Sequence, residues 1–139
     1  MLNSSTQLFF ILLLGFLLRL VVVQTPFLGE WDERFHALVA KNLMEHPLKP
    51  TLYDDPVLPY DYREWSANHV WLSKPPLALW LMAGSMSLLG TGLFALRLPA
   101  LLVSLASVYL TFLIGRRLFD TRTALTAALL HAIHGMTWK

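Results

Sequence analysis

Residues 8–28 read LFFILLLGFLLRLVVVQTPFL. That is 21 residues interrupted by one charge, Arg19. At about 1.5 Å per residue a helix of this length reaches roughly 31 Å, enough to cross the hydrocarbon core of a bilayer. A signal peptide is the competing reading, because Leu8 to Leu18 has the length of an apolar leader core. No Lys or Arg precedes that run, however, and no small-x-small cleavage pattern follows it, so a retained first span is expected. Arg19 is expected to snorkel or to face later helices.

The rest of the chain agrees with a membrane setting. Hydrophobic residues make up 55% of the 139 residues and charged residues 14%, against about 25% charged in a soluble domain. The mean hydropathy is +0.52. The net charge of +2 is not gathered into a basic face with interleaved aromatics, so no nucleic-acid partner is read from it. The absence of cysteine excludes disulfides, thiol catalysis and Cys-ligated zinc.

Three further apolar runs are expected to cross or enter the membrane. They cover about 76–89, 99–118 and 123–138. The first of these is short for a span, and Gly90-Thr91-Gly92 breaks the chain after it. Pro99 suits a first helical turn, where its missing N–H is no loss. Arg116, Arg117 and Arg122 flank a turn at Asp120. The fold class expected is all-α, a polytopic transmembrane helix bundle. The last run stops after 16 residues, so an N-terminal fragment is preferred over a very small membrane protein.

The loop 29–75 is different. It holds Glu30, Asp32, Glu33, Glu45, Asp54, Asp55, Asp61 and Glu64, eight of the nine acids of the chain. Within it, Phe35, Leu38, Val39 and Leu43 recur at helical spacing, predicting an amphipathic juxtamembrane helix over Glu33 to His46 that Pro47 and Pro50 stop. Thr51 to Trp71 is turn-rich and carries Tyr53, Tyr60, Tyr62, Trp65 and Trp71, rings that favour the membrane interface.

Two short motifs bound this loop. Asp32-Glu33 opens the amphipathic helix, where acids suit the dipole and the cap whatever else they do. Lys74-Pro75-Pro76 precedes the second apolar run, where an interfacial lysine and a helix-starting proline pair need no further reason. The order of the two motifs carries more than either alone. Trp31-Asp32-Glu33-Arg34-Phe35-His36-Ala37, then Trp71-Leu72-Ser73-Lys74-Pro75-Pro76-Leu77, then Arg97-Leu98-Pro99 resembles the N-terminal part of the GT-C type membrane glycosyltransferases. These include the protein O-mannosyltransferases and the lipid A aminoarabinose transferases of the glycosyltransferase family 39 kind.

The resemblance implies a transferase that moves a hexosyl or pentosyl group from a polyprenyl-phosphate donor to a lipid, glycan or protein acceptor. It implies Asp32 as the catalytic base, Glu33 as a neighbour that places acceptor or donor, and Lys74 as the contact to the donor phosphate. Those residue types fit the chemistry. A carboxylate can take or orient the acceptor proton, and an interfacial ammonium can hold an anionic leaving group. Inversion at the anomeric carbon is expected. His36 stands where relatives often have tyrosine, and Ser73 where aminoarabinose transferases have a glutamate. His36 and His69 are far apart in sequence, so no metal site is assigned and no cofactor is expected. His131 and His134 lie at i, i+3 and are expected to face the bundle.

Membrane lipid and a polyprenyl-phosphate-linked sugar are the expected partners, together with the rest of the same protein if the chain is a fragment, which alone would be inactive. The setting expected is a bacterial inner membrane, with several passes. Charge counting opposes the family orientation, because loop 29–75 and the Asp120 turn share a side with eight Lys and Arg, against Arg97 opposite. The resemblance puts that loop outside, and that orientation is preferred. A noncatalytic membrane subunit binding lipid or a partner protein is the alternative reading. A transporter fragment is the weaker one, since Arg19 has no acidic partner in the apolar runs.

Overall fold

The computed structural model describes residues 3–30, 32–71 and 73–134. Trp31 and Leu72 of the quoted motifs, and the end of the last apolar run with Trp138, lie outside them. The described chain is all-α. It contains α1 (Ser4–Val23), α2 (Asp32–Leu43), a 3-10 turn (Trp65–Ala67), α3 (Leu77–Leu89), α4 (Leu93–Leu118) and α5 (Thr121–His134). Two of these, α1 and α4, are long and apolar enough to cross a membrane. At 13 residues, α3 reaches only about 20 Å.

The chain divides into two compact units, residues 1–25 with 100–139, and residues 26–99. In the first, α1 packs on α5 around Val108, Phe112, Ala124, Ala128 and Ala132, with Leu8, Ile11 and Leu12 closing over them. Small residues permit the close approach. A Cβ added at Gly115 would lie 3.0 Å from the Ala124 Cα, and one at Gly15 would lie 3.4 Å from the Ala132 Cβ. Arg19 is 6% exposed. It donates from Nε to Ser104 Oγ at 2.5 Å and from Nη1 to the carbonyls of Gly15 at 3.1 Å and Ala132 at 2.9 Å. Of the two expected placements it takes the one facing other helices. Its partners are a hydroxyl and two carbonyls, which take up Nε and Nη1, while Nη2 is buried without a hydrogen-bond partner. His131 Nδ1 lies 2.8 Å from Thr111 Oγ1, inside this unit as expected, whereas His134 is exposed.

In the second unit, Val39, Ala40 and Leu43 of α2 pack against Leu79, Ala83 and Met86 of α3, with Leu52, Trp71, Ala95 and Leu96 in the same core. Of the expected apolar face of α2, Val39 and Leu43 are buried and Phe35 packs against the core, whereas Leu38 is exposed. The helix ends at Leu43 rather than His46, because residues 44–46 fold into tight turns on Lys41 and Asn42, and the Asn42 amide donates to the Thr51 carbonyl at 2.9 Å. An isolated antiparallel bridge joins Thr51 to Val70. It is flanked by hydrogen bonds from Leu52 N to His69 O and from Trp71 N to Pro50 O, both 2.8 Å. The Trp80 indole donates to the Pro47 carbonyl at 2.8 Å. These contacts tie the turn-rich loop to both helices.

One boundary differs from the sequence reading in a way that matters for the site. Pro99 lies inside α4, not in its first turn. Gly90, at φ 89°, turns the chain after α3, and Leu96 N already bonds to Gly92 O at 3.0 Å. The helix therefore begins two turns ahead of Pro99, which leaves the carbonyl of Ala95 without an i+4 N–H. Those extra turns carry Arg97.

Candidate functional site

The site lies within the unit 26–99. Asp32 opens α2 and Lys74 stands just ahead of α3, 42 positions later in the chain. Lys74 Nζ donates to Asp32 Oδ2 at 2.6 Å. Both side chains keep access to solvent, 43% exposed for Lys74 and 69% for Asp32. The lysine's hydrogen bond holds the Asp32 carboxyl below the ordinary carboxylate range, so it is ionised at neutral pH.

Glu33, the next residue, is turned to other partners. Arg97 grips it with Nε on Oε1 at 2.5 Å and Nη2 on Oε2 at 3.0 Å. The same Nη2 donates to the Phe27 carbonyl at 2.7 Å, and the Gly29 N–H donates to Glu33 Oε2. This pair is far more enclosed, with side chains 13% and 28% exposed for Arg97 and Glu33. The hydrogen bond from Arg97, and then that from Gly29, hold the Glu33 carboxyl below its usual range against the opposing effect of burial.

His36 lies one turn further along α2. Burial, and then the charge of Lys74, push its pKa below the ordinary imidazole value, so the ring is neutral at pH 7. It meets the Trp71 ring edge-on at 5.9 Å. Phe35, Trp65 and Trp71 form a cluster of rings 4.9–5.9 Å apart.

The two motif residues on which the sequence argument rests, Asp32 and Lys74, thus come together, and Glu33 lies beside them. Arg97 is the residue to which sequence reading gave no role. Its only signal was its place in Arg97-Leu98-Pro99. Among the described residues, three potential metal ligands gather at Glu45, His46 and Asp54, on the surface. Neither His36 nor His69 belongs to that group.

Two comparisons with known proteins bear on this arrangement. The family described as dolichyl-phosphate-mannose-protein mannosyltransferase matches residues 73–138. That match includes Lys74 and Arg97 and leaves out Asp32 and Glu33. The undecaprenyl phosphate-alpha-4-amino-4-deoxy-L-arabinose arabinosyl transferases of Pseudomonas paraeruginosa (strain PA7) and Pseudomonas aeruginosa (strain PAO1) are each 33% identical over 78 residues. This chain is similar to the GT-C membrane glycosyltransferases. The similarity covers 52% of this chain and 14% of those relatives, so the chain spans a small part of the curated proteins it matches. No solved structure gives a significant match. The glycosyltransferase resemblance carried by the motifs is supported by both comparisons, and the membrane setting by the apolar helices α1 and α4 as well.

Proposed function

We propose that this chain is part of a polytopic, inner-membrane glycosyltransferase that moves a sugar from a polyprenyl-phosphate donor to an acceptor hydroxyl. The observation that carries the reading is the 2.6 Å contact between Lys74 Nζ and Asp32 Oδ2. A carboxylate and an ammonium at one spot are the two charges this reaction needs. The bond from the anomeric carbon to the phosphate oxygen breaks, and its electron pair leaves with the polyprenyl phosphate. A bond from the acceptor oxygen to the same carbon forms. The acceptor proton goes to Asp32, which is ionised and accessible. Lys74 stabilises the negative charge on the departing phosphate.

Attack from the side opposite the leaving group inverts the anomeric carbon. The matched arabinosyl transferases are named for an undecaprenyl phosphate donor, which supports a lipid of that class here. On this reading the exposed rings of Tyr60, Tyr62 and Trp65 lie at the membrane interface, on the outer face, where the phosphate of such a donor must sit.

The test is binding of undecaprenyl phosphate, without a sugar, to the protein in vesicles. Lys74→Ala is expected to weaken binding about tenfold or more, the worth of one charge-assisted hydrogen bond. Asp32→Asn is expected to retain it. Equal binding by wild type and Lys74→Ala would remove the lysine from the donor site.

A further inference from the structure

We infer that Arg97 is a positioning residue: through Glu33 it fixes the backbone of residues 27–33, and with it the place from which Asp32 meets Lys74. The inference rests on the proposed role of Asp32 and adds a group that never touches substrate.

The exposed Asp32–Lys74 pair does not define its own geometry. Ion pairs between exposed side chains contribute little and are readily exchanged for water. Something else must hold Asp32 where it is. The Glu33–Arg97 pair is enclosed and two-pronged, and such a fork fixes direction as well as distance. Arg97 also holds the Phe27 carbonyl, and Glu33 holds the Gly29 N–H. One guanidinium thus secures Phe27, Gly29 and Glu33, the approach to α2 and its first turn.

Helix geometry carries the effect to Asp32. Neighbouring residues on an α-helix point about 100° apart. With Glu33 turned to Arg97, Asp32 is directed to a separate sector, where Lys74 waits. Both Glu33 oxygens accept hydrogen bonds from Arg97 or Gly29, which fixes the carboxylate and lets it act through Asp32. Arg97 can reach Glu33 because α4 begins ahead of Pro99.

A zero-length carbodiimide cross-link between the Asp32 carboxylate and the Lys74 amine, scored by mass spectrometry on the protein in membranes, tests the geometry without any donor. Wild type is expected to form the amide. Arg97→Gln and Glu33→Gln are expected to cut its yield about fivefold. Arg97→Lys keeps the charge and loses the fork, and is expected to cut the yield about threefold. If Arg97→Gln does not insert, Arg97→Lys decides. A yield within about twofold of wild type in the inserted variant overturns the inference.

The kinetic counterpart is transfer from an undecaprenyl-phosphate-linked sugar by the whole transferase of which this chain is proposed to be part. Arg97→Lys is expected to lower kcat about tenfold or more with KM for the donor within about twofold. A rise in KM that accounts for the loss would place Arg97 on the donor itself and overturn the positioning role. The cross-link needs no lipid and undecaprenyl phosphate binding needs no cross-link, so failure of the clamp and failure of the proposed function are told apart.

Discussion

Lys74 Nζ and Asp32 Oδ2 lie 2.6 Å apart across 42 positions of chain. The contact has a chemical consequence. The ammonium that would receive a lipid phosphate is, without one, the partner of the carboxylate that would take the proton.

That pairing makes a pH prediction. Lys74 lowers the Asp32 pKa, so the ionised base is present at neutral pH and is lost only below the ordinary carboxylate range. The acid limb of the kcat/KM profile should therefore fall at low pH in wild type. Lys74→Met removes the group that holds the pKa down, so the limb should move upward, toward the unperturbed value of about 3.9. A pH–rate profile of both proteins checks the direction.

Glu33 gives a second pH dependence, in stability. Its folded pKa is depressed, chiefly by Arg97. A depressed carboxyl contributes stability that is complete above the unfolded value of about 4.3 and disappears as pH falls through the folded value. Wild type should lose thermal stability in detergent over that acid range, and Glu33→Gln should lose less over the same range, starting from a lower plateau. Thermal unfolding as a function of pH is the measurement.

Packing of the unit that holds the site sets a third expectation. Leu43 is 2% exposed and lies between α2 and α3. Leu43→Ala should cost about 3 kcal/mol through lost burial and the cavity left behind. Because α2 carries Asp32, the Asp32–Lys74 cross-link should weaken along with the unfolding temperature.

The other unit is tested by Gly115. A Cβ there meets the backbone of Ala124 at 3.0 Å, which leaves no flexible side-chain end to give way. Gly115→Val should destabilise by about 1–3 kcal/mol. Measured as unfolding in detergent, Gly84→Ala serves as the control, since a Cβ at Gly84 meets nothing within 4 Å.

How much of this was readable beforehand follows from the range of each interaction. The apolar runs and most of the face of α2, Leu38 excepted, were legible because helical periodicity is local. Even the pair Asp32 and Lys74 could be named, since each sits at the head of a helix in a recognisable motif. Their distance could not, because it depends on the packing of α2 against α3. The Glu33–Arg97 clamp was invisible for the same reason, its partners being 64 positions apart. Pro99 was misplaced because proline favours a first turn, yet Gly90-Thr91-Gly92 had already started α4 ahead of it. Loop geometry outweighed the proline preference, and that difference brought Arg97 onto the helix.

The most direct measurement is transfer of sugar from an undecaprenyl-phosphate-linked donor by membranes containing the whole transferase of which this chain is proposed to be part, comparing wild type with Asp32→Asn at equal membrane insertion. Asparagine keeps the shape and cannot take a proton, so turnover should fall by about 10²–10⁴ while undecaprenyl phosphate still binds. Turnover by Asp32→Asn equal to that of wild type would contradict the account.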